Sequence, residues 1–338
     1  MGPAQAYRSS EDQYGRPAVL IVCGDLAPDL ALPYIAAFSQ QADAFARIGG
    51  DILALVSASN LAWLRVKRPS PMPDLIHCPA RDPFETIGVD SGAPALLVVD
   101  RGQRIIARLD GHTPEAAAQA AAAILSGLSS EAATTLSSPA PVLITPNLVD
   151  QDLRRRLIDH FERSDHQVGA MASVDQDGRA INRVDDAKKH RRDCVLDPTS
   201  DLHGEVVGLL DRRLVPEIAR AFHVQVAHID RILIARYDDT GGYFRRHRDN
   251  GAPHVAFRQF ALTLNLNTGE YEGGELCFPE FSDHRFNGPA GAGVVFSGAL
   301  LHEARPVTRG RRYALLTFLH DDAAEARRQA YLAKPQAG

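Results

Sequence analysis

Three side chains in the last third of the chain have the types and spacing of a metal centre. His247 and Asp249 stand in His-x-Asp order, and His302 follows over fifty residues later. Two imidazoles and one carboxylate make the facial triad that holds non-haem Fe(II) with coordination positions left open. In an extended strand, residues i and i+2 point to the same face, so His247 and Asp249 are expected to reach one metal from one strand. The third ligand then has to come from a distant strand laid alongside. Arg312 stands ten residues after His302. It is expected one strand over, where its guanidinium can hold the carboxylate of a second small molecule as a bidentate pair.

The same residue types admit other chemistry. His247-Arg248-Asp249 also opens a kinase catalytic loop, but the Asn needed five residues past the Asp is His254, and no glycine-rich loop and lysine strand precede it. A zinc hydrolase can use the same three ligands, yet it leaves Arg312 without a role. Purely structural histidines conflict with the charged stretch around His247 and Asp249.

Further wording recurs in order around these residues: Ala235-Arg236-Tyr237, His247-Arg248-Asp249-Asn250, Leu264-Asn265-Leu266-Asn267 and Gly273-Gly274-Glu275-Leu276-Cys277-Phe278-Pro279. It continues with Val294-Val295-Phe296, His302-Glu303-Ala304-Arg305-Pro306-Val307 and Gly310-Arg311-Arg312-Tyr313. The set resembles the Fe(II)/2-oxoglutarate-dependent dioxygenases of the prolyl 4-hydroxylase-like branch, over roughly Pro141 to Asp321.

That resemblance implies an α+β double-stranded β-helix, or jelly roll, at residues 141–322. It implies an oxygenase that hydroxylates an unactivated C–H bond, with succinate and CO2 as co-products. The implied cofactors are Fe(II), 2-oxoglutarate and O2, with ascorbate as an accessory reductant. His247, Asp249 and His302 become the metal ligands. Arg312 is chosen over Arg311 as the cosubstrate clamp from the ten-residue offset that the family shows, and Tyr237 and Asn265 join it in cosubstrate binding. Alternation puts Arg311 and Arg312 on opposite faces of a strand, and both faces are apolar, so periodicity alone does not decide between them.

Two positions depart from the family's pattern. Phe244 stands where a tyrosine often precedes the first ligand by three residues, with Tyr243 displaced by one. Asn265 replaces the tyrosine that often begins a Tyr-Leu-Asn triplet. Both touch the cosubstrate or substrate pocket and weigh on prolyl specificity more than on oxygenase chemistry. The implied substrate is a prolyl residue or a proline-like molecule. The alternatives are a small-molecule amino acid or natural product and, from another class, a non-catalytic metal-binding scaffold or sensor.

The elements that must carry this site can be placed along the chain. A length of 338 residues suggests two domains, each large enough for a core. The formal net charge of −5 gives no general electrostatic argument for nucleic acid or membrane. The first nineteen residues are polar and lack the apolar centre of a signal peptide. Four cysteines without Cys-x-x-Cys spacing suggest no disulfide scaffold, so a reducing cytoplasm is the expected compartment. The expected partners are a small-molecule or peptide substrate, with no nucleic acid and no membrane; the sequence carries no mark of oligomeric state.

After a tail at 1–16, residues 17–128 alternate strand and helix. Pro17 to Cys23, Asp51 to Val56 and Ala95 to Asp100 read as strands, and Leu32 to Ile48 reads as helical. Arg104 to Leu109 reads as a hairpin partner. Thr113 with Pro114 opens the alanine-rich helix to Leu128. This order resembles an α/β thioredoxin-like fold in its peroxiredoxin-like form. A peroxidatic thiol belongs at the start of the first long helix, but Asp25 to Tyr34 holds no cysteine. Cys23 and Cys78 therefore read as buried small residues, and the domain as redox-inactive.

Residues 129–140 read as a linker. Asp150 to Ser164 is expected as an amphipathic helix on Leu153, Leu157, Ile158 and Phe161. Residues 168–198, with the basic run Lys188-Lys189-His190-Arg191-Arg192, read as a solvated loop or, by the resemblance, as a lid over the substrate entrance. A helical pair is expected from Leu202 to Phe222, short barrel strands from Gln225 onward, and a tail at 323–338.

Overall fold

The computed structural model describes residues 15–57, 74–77, 93–128, 135, 138–176 and 179–333. The chain divides into two compact units, Met1–Thr134 and Thr135–Gly338. Cys78 and most of the segment expected as a linker lie outside the described residues.

In the first unit the strands are β1 (Ala18–Gly24), β2 (Asp51–Val56), β3 (Asp74–His77), β4 (Ala95–Val99) and β5 (Ile105–Arg108), ordered β3-β2-β1-β4-β5. β1, β2 and β3 run parallel, while β4 and β5 are antiparallel additions. A parallel pair needs a long crossover, and the expected Leu32 to Ile48 stretch supplies it in two pieces. Helix α1 (Pro28–Gln40) starts earlier than expected, and α2 (Ala42–Arg47) follows a break at Gln41. Helix α3 (Pro114–Ser126) is capped as its sequence predicts, with Thr113 Oγ1 accepting from the Ala116 N–H at 3.4 Å. The core joins Val19, Ile21, Ile35, Phe38, Phe45, Val98, Ala121 and Leu125. Cys23 is fully buried within it, and burial pushes its thiol up to about 12, so almost no thiolate exists at neutral pH.

The second unit is built on two sheets. Its first strands are β6 (Val142–Thr145), β7 (Gln167–Val168), β8 (Met171–Val174), β9 (Ala180–Arg183), β10 (Lys189–His190) and β11 (Arg192–Val195). Then come β12 (His228–Ile229), β13 (Leu233–Asp238), β14 (Tyr243–His247), β15 (Phe260–Asn265), β16 (Glu272–Gly273), β17 (Leu276–Cys277) and β18 (Arg285–Phe286). β19 (Gly293–Ser297), β20 (His302–Ala304), β21 (Val307–Arg309) and β22 (Arg311–His320) complete the set. The larger sheet runs β6-β19-β15-β22-β13-β11-β7, with β12 also on β22, and the smaller runs β10-β14-β20-β17-β18.

Alternation divides the side chains of the larger sheet between two cores. One face, with Ile234, Leu262, Val295 and Leu315, packs on helices α4 (Gln151–Arg163), α5 (Asp201–Arg213) and α6 (Val215–Phe222). The other face, with Ala235, Tyr237, Val294 and Phe296, meets Leu276, Phe278 and Ala304 of the smaller sheet. This two-sheet jelly-roll arrangement, with helices on one side, is the expected fold for the second unit. Helix α4 has Asp150 as N-cap and buries Leu153, Leu157 and Phe161, as its stripe predicts.

Two expectations need correction. Residues 168–198 are not an irregular loop: β8 and β9 form a hairpin, β10 joins the smaller sheet, and β11 joins the larger. The segment expected as a tail holds helix α7 (Asp322–Leu332), N-capped by Asp321. It is tied to the sheet by ion pairs of His320 with Glu325 and His228 with Asp322, each at 2.8 Å.

Candidate metal and cosubstrate centre

His247 ends β14 and His302 opens β20, and the two residues are direct partners across that antiparallel pair. A ligand fifty-five positions away in sequence is thus placed opposite the first by strand pairing alone. Asp249 differs from expectation. β14 stops at His247, so the carboxylate arrives from the turn that follows rather than from the same strand. The Asp249 N–H donates to the Gly298 carbonyl at 2.9 Å, which fixes this turn against the loop leading to His302.

The three side chains converge. His247 Nε2 lies 3.4 Å from one oxygen of Asp249, and His302 Nε2 lies 3.4 Å from the other. The three ligand atoms fall within 4.8 Å of one another. Each ring is oriented through its other nitrogen: His247 Nδ1–H donates to the Arg245 carbonyl at 2.8 Å, and His302 Nδ1–H donates to the Leu300 carbonyl at 3.0 Å. Both rings therefore turn a bare Nε2 toward the carboxylate, the tautomer a metal ligand requires. Phe244 stacks on His247 at 3.4 Å between centroids, so the residue that departs from the family's tyrosine packs directly on a ligand.

The charges suit a divalent cation. Burial lowers His302 to about 4, outweighing the pull of Asp249, so it is neutral with its lone pair free. Burial opposes ionisation of Asp249, but His302 and His247 hold its carboxyl at about 2. Neutral imidazoles and an ionised carboxylate are the donor states a metal needs.

Arg248, between His247 and Asp249, also borders the cleft. It pairs with Glu280 at 2.6 Å and donates to the Ala299 carbonyl, while Glu280 also accepts from the Leu301 N–H at 2.9 Å. This clamp ties the turn of Asp249 to the approach to His302, a role with no mark in the sequence.

Arg312 comes from the opposite wall. It was expected one strand over from His302, but β22 lies in the larger sheet and β20 in the smaller. The guanidinium therefore looks across the space between the sheets. Arg312 is only 2% exposed, whereas the Arg311 side chain is 58% exposed and pairs with Asp238 at 3.4 Å. Among the described residues no carboxylate pairs with Arg312; its Nε has no partner, and Nη2 reaches Asn265 Oδ1 at a long 3.4 Å. A buried guanidinium left in this state is costly unless an anion joins it. A carboxylate entering from the cleft would supply such an anion.

Several neighbours hold Arg312 in place. Its guanidinium lies 5.0 Å from the Tyr237 ring. Asn267 donates to the Arg311 carbonyl at 2.8 Å and accepts from the Tyr313 N–H at 2.9 Å, so it grips the main chain on both sides of Arg312. A Cβ at Gly274, where φ is +71°, would come within 2.7 Å of Arg312 Cδ, which explains a glycine there.

The metal triad and Arg312 line one cleft of about 600 Å³ together with Tyr237 and Phe244. Asn265 is not among the lining residues; it is buried behind Arg312 and donates to the Gly288 carbonyl at 3.0 Å. Its contact with a cosubstrate would run through Arg312.

A model described as the 2OG-Fe(II) oxygenase superfamily matches residues 232–320. A PKHD-type hydroxylase of Parvibaculum lavamentivorans is 32% identical over 171 residues, which cover 46% of this chain and 72% of that protein. The chain belongs to the 2OG-Fe(II) oxygenase superfamily. Another relative, a PKHD-type hydroxylase of Verminephrobacter eiseniae, is 32% identical over 108 residues, 29% of this chain and about half (48%) of the relative. A solved Pseudomonas putida prolyl-4-hydroxylase is similar at 21% identity over 54% of this chain and 94% of that one, with a TM-score of 0.43. Membership in the oxygenase superfamily implies Fe(II), 2-oxoglutarate and O2 as cofactors. The donor set and the uncompensated Arg312 both fit them.

A second group beside the cleft includes two members of the basic run that reads in sequence as a loop or lid. Lys189 on β10, Arg191 between the strands and Asp193 on β11 are brought together where the chain passes from the smaller sheet to the larger. Lys189 Nζ donates to the Ala170 carbonyl at 2.7 Å and lies 3.2 Å from Asp193. Arg191 pairs with the same Asp193 at 2.7 Å and donates to Tyr237 Oη at 2.7 Å. The i, i+2, i+4 spacing within the basic run was the available signal; the loop reading hid it.

One carboxylate thus serves two buried cations. Burial and then the charge of Arg191 lower Lys189 to about 7, while Arg191 and Lys189 hold Asp193 below its ordinary range against its own burial. A lysine with a depressed folded pKa opposes folding while it is protonated. Between about 7 and its ordinary 10.5 the unfolded chain binds more protons, so stability rises with pH across that window. The expected gain is on the order of 3 kcal/mol by about pH 10. Urea unfolding of the metal-free protein at several pH values should show it, and Lys189→Met should flatten the rise. Parallel curves for the two proteins would contradict it.

Proposed function

We propose that the protein is an Fe(II)- and 2-oxoglutarate-dependent hydroxylase of an unactivated C–H bond. The observation that carries this reading is the pairing of two bare Nε2 atoms and one carboxylate with a buried, anion-free Arg312 facing the same cleft. His247, Asp249 and His302 would hold the iron, which supplies the oxidising chemistry with 2-oxoglutarate and O2. Arg312 would bind the distal carboxylate of the cosubstrate by charge-assisted hydrogen bonds. Tyr237, which accepts from Arg191 and packs near Arg312, would orient that end of the molecule. Phe244, Phe296 and Leu276 would keep water from the reacting face. A metal-holding scaffold has no need of Arg312, so the observation favours an enzyme.

A prolyl residue as substrate rests on the family resemblance. The second reading, a small-molecule amino acid or natural product, is favoured by the cations that line the cleft. The β8–β9 hairpin borders the same cleft and is suited to act as its lid. The test of the oxygenase reading is an anaerobic Fe(II) titration with and without 2-oxoglutarate. A weak visible charge-transfer band that needs both additions is expected, and its absence would overturn the reading.

The domain boundaries and the character of the first unit belong to the same proposal: residues 17–128 form a thioredoxin-like domain without redox chemistry. The parallel β1–β2 crossover followed by an antiparallel pair and a helix supports the fold, and the un-ionised Cys23 supports the lost activity. Cys23→Ser is expected to leave 2-oxoglutarate turnover unchanged, and the protein should reduce peroxide no faster than free thiols do. Loss of turnover in the variant would mean that the first unit contributes to the active site.

A further inference from the structure

The cleft holds more positive charge than iron and 2-oxoglutarate account for. Eight lysines and arginines line it. Arg183 is matched by Asp185 at 3.9 Å, Arg248 by Glu280 at 2.6 Å and Arg258 by Asp230 at 2.9 Å, and Lys188, Lys189, Arg191, Arg231 and Arg312 remain. Lys189 and Arg191 share Asp193, so one of the two charges is unmatched whenever Lys189 is protonated. Lys188 and Arg231 have no ion-pair partner among the described residues. Arg312 is matched by the cosubstrate, and three cationic charges are left over.

These charges stand close together. Arg231 presses electrostatically on both Lys189 and Arg258, and Arg191 presses on Lys189. Lys188 and Arg231 are exposed at the mouth of the cleft, whereas Lys189 is 2% exposed, stripped of water and held beside Phe244. Taking a cation out of water without a full counter-charge destabilises the fold, and a bound anion relieves it. The segment that brings Lys188 and Lys189 here is pinned by strand pairing, with Lys189 opposite Phe244. The other walls are apolar, including Met171, Leu233, Leu276 and Phe318. A molecule that fills this space meets cations at one end and hydrocarbon at the other.

We propose that the cleft takes a small polyanionic substrate, bearing two or more carboxylate or phosphate groups, whose anionic end is held by Lys188, Lys189 and Arg231. The proposal rests on the oxygenase reading for the position of the reacting C–H bond, but the anion site itself does not. Carboxylate and phosphate share the chemistry that these cations recognise, and the experiment separates them.

The full chain, loaded under argon with Fe(II) and one equivalent of 2-oxoglutarate, is titrated calorimetrically with tricarballylate and, separately, with fructose bisphosphate. The triamide of tricarballylate and free fructose are the neutral controls. One of the two anions is expected to bind at low salt and to weaken steeply at high salt. In Lys188→Gln/Arg231→Gln its affinity should fall by about tenfold or more. The better-bound anion identifies the group. Neutral controls that bind as tightly, an unchanged affinity in the double variant, or no binding of either anion to the wild-type chain would each overturn the proposal. Circular dichroism of the variant shows whether it is folded; if it is not, Arg231→Gln alone is titrated instead, with the same outcomes. The charge-transfer band in the wild-type samples reports the iron site separately. An absent band with variant-sensitive anion binding would sink the oxygenase reading and leave the anion site standing, and the reverse pattern would sink only the anion site.

Discussion

His302→Ala is expected to abolish succinate formation while the protein stays folded, and His247→Ala and Asp249→Ala should do the same. An open three-ligand site cannot lose one ligand and keep both affinity and geometry. Removing a group that merely supports a ligand already costs roughly 10–100-fold, so loss of a ligand should exceed that range. His302 touches Phe296 and Phe278 as well as its two partners, so some loss of packing will accompany the substitution. Circular dichroism and the thermal midpoint separate the two effects. A folded His302→Ala protein that turns over 2-oxoglutarate near the wild-type rate would remove His302 from the ligand set.

The second large effect concerns the opposite wall. Arg312→Ala should raise the 2-oxoglutarate concentration needed for turnover by more than about a hundredfold, because a buried carboxylate without its cation costs roughly 3–5 kcal/mol. Arg311→Ala should do much less, since that side chain is exposed and pairs with Asp238. An additional signature follows from the unpaired state of Arg312. In the metal-free protein an apolar replacement such as Arg312→Met removes an uncompensated buried charge, so the thermal midpoint should hold or rise as cosubstrate affinity falls. A reversed order of the two arginines in the turnover assay would put the cosubstrate on the other face of β22.

Much of this centre can be read from residue types and order. That His302 should come from a strand laid beside His247 follows from the need for a third ligand, and the preference for Arg312 follows from the offset that the resemblance supplies. What could not be read is which sheet each strand joins. The chain between His302 and Arg312 passes through β21 and crosses from the smaller sheet to the larger, so a neighbour in sequence becomes a residue facing His247, Asp249 and His302 from across the cleft. The source of Asp249 was equally hidden, because the end of β14 depends on the bond from the Asp249 N–H to Gly298, a contact forty-nine residues away. Lys189, Arg191 and Asp193 were obscured for another reason. A run of basic residues resembles a solvated loop until tertiary pairing with β13 and β14 buries alternate members. In the first unit, where the crossover is local, the described elements could be placed within a few residues from periodicity and caps, except β3 (Asp74–His77), which those signals do not mark as a strand.

The rings of His247 and His302 are held by the carbonyl oxygens of Arg245 and Leu300, each two residues back along the ring's own chain. Main-chain atoms are the same whichever amino acid supplies them. Random substitution at these two positions can alter charge or bulk, yet it cannot delete the acceptor that sets the ring. Side chains can therefore change at these two positions without first losing the orientation of the rings. A laboratory library that varies Arg245 and Leu300 should retain metal binding in most of its members.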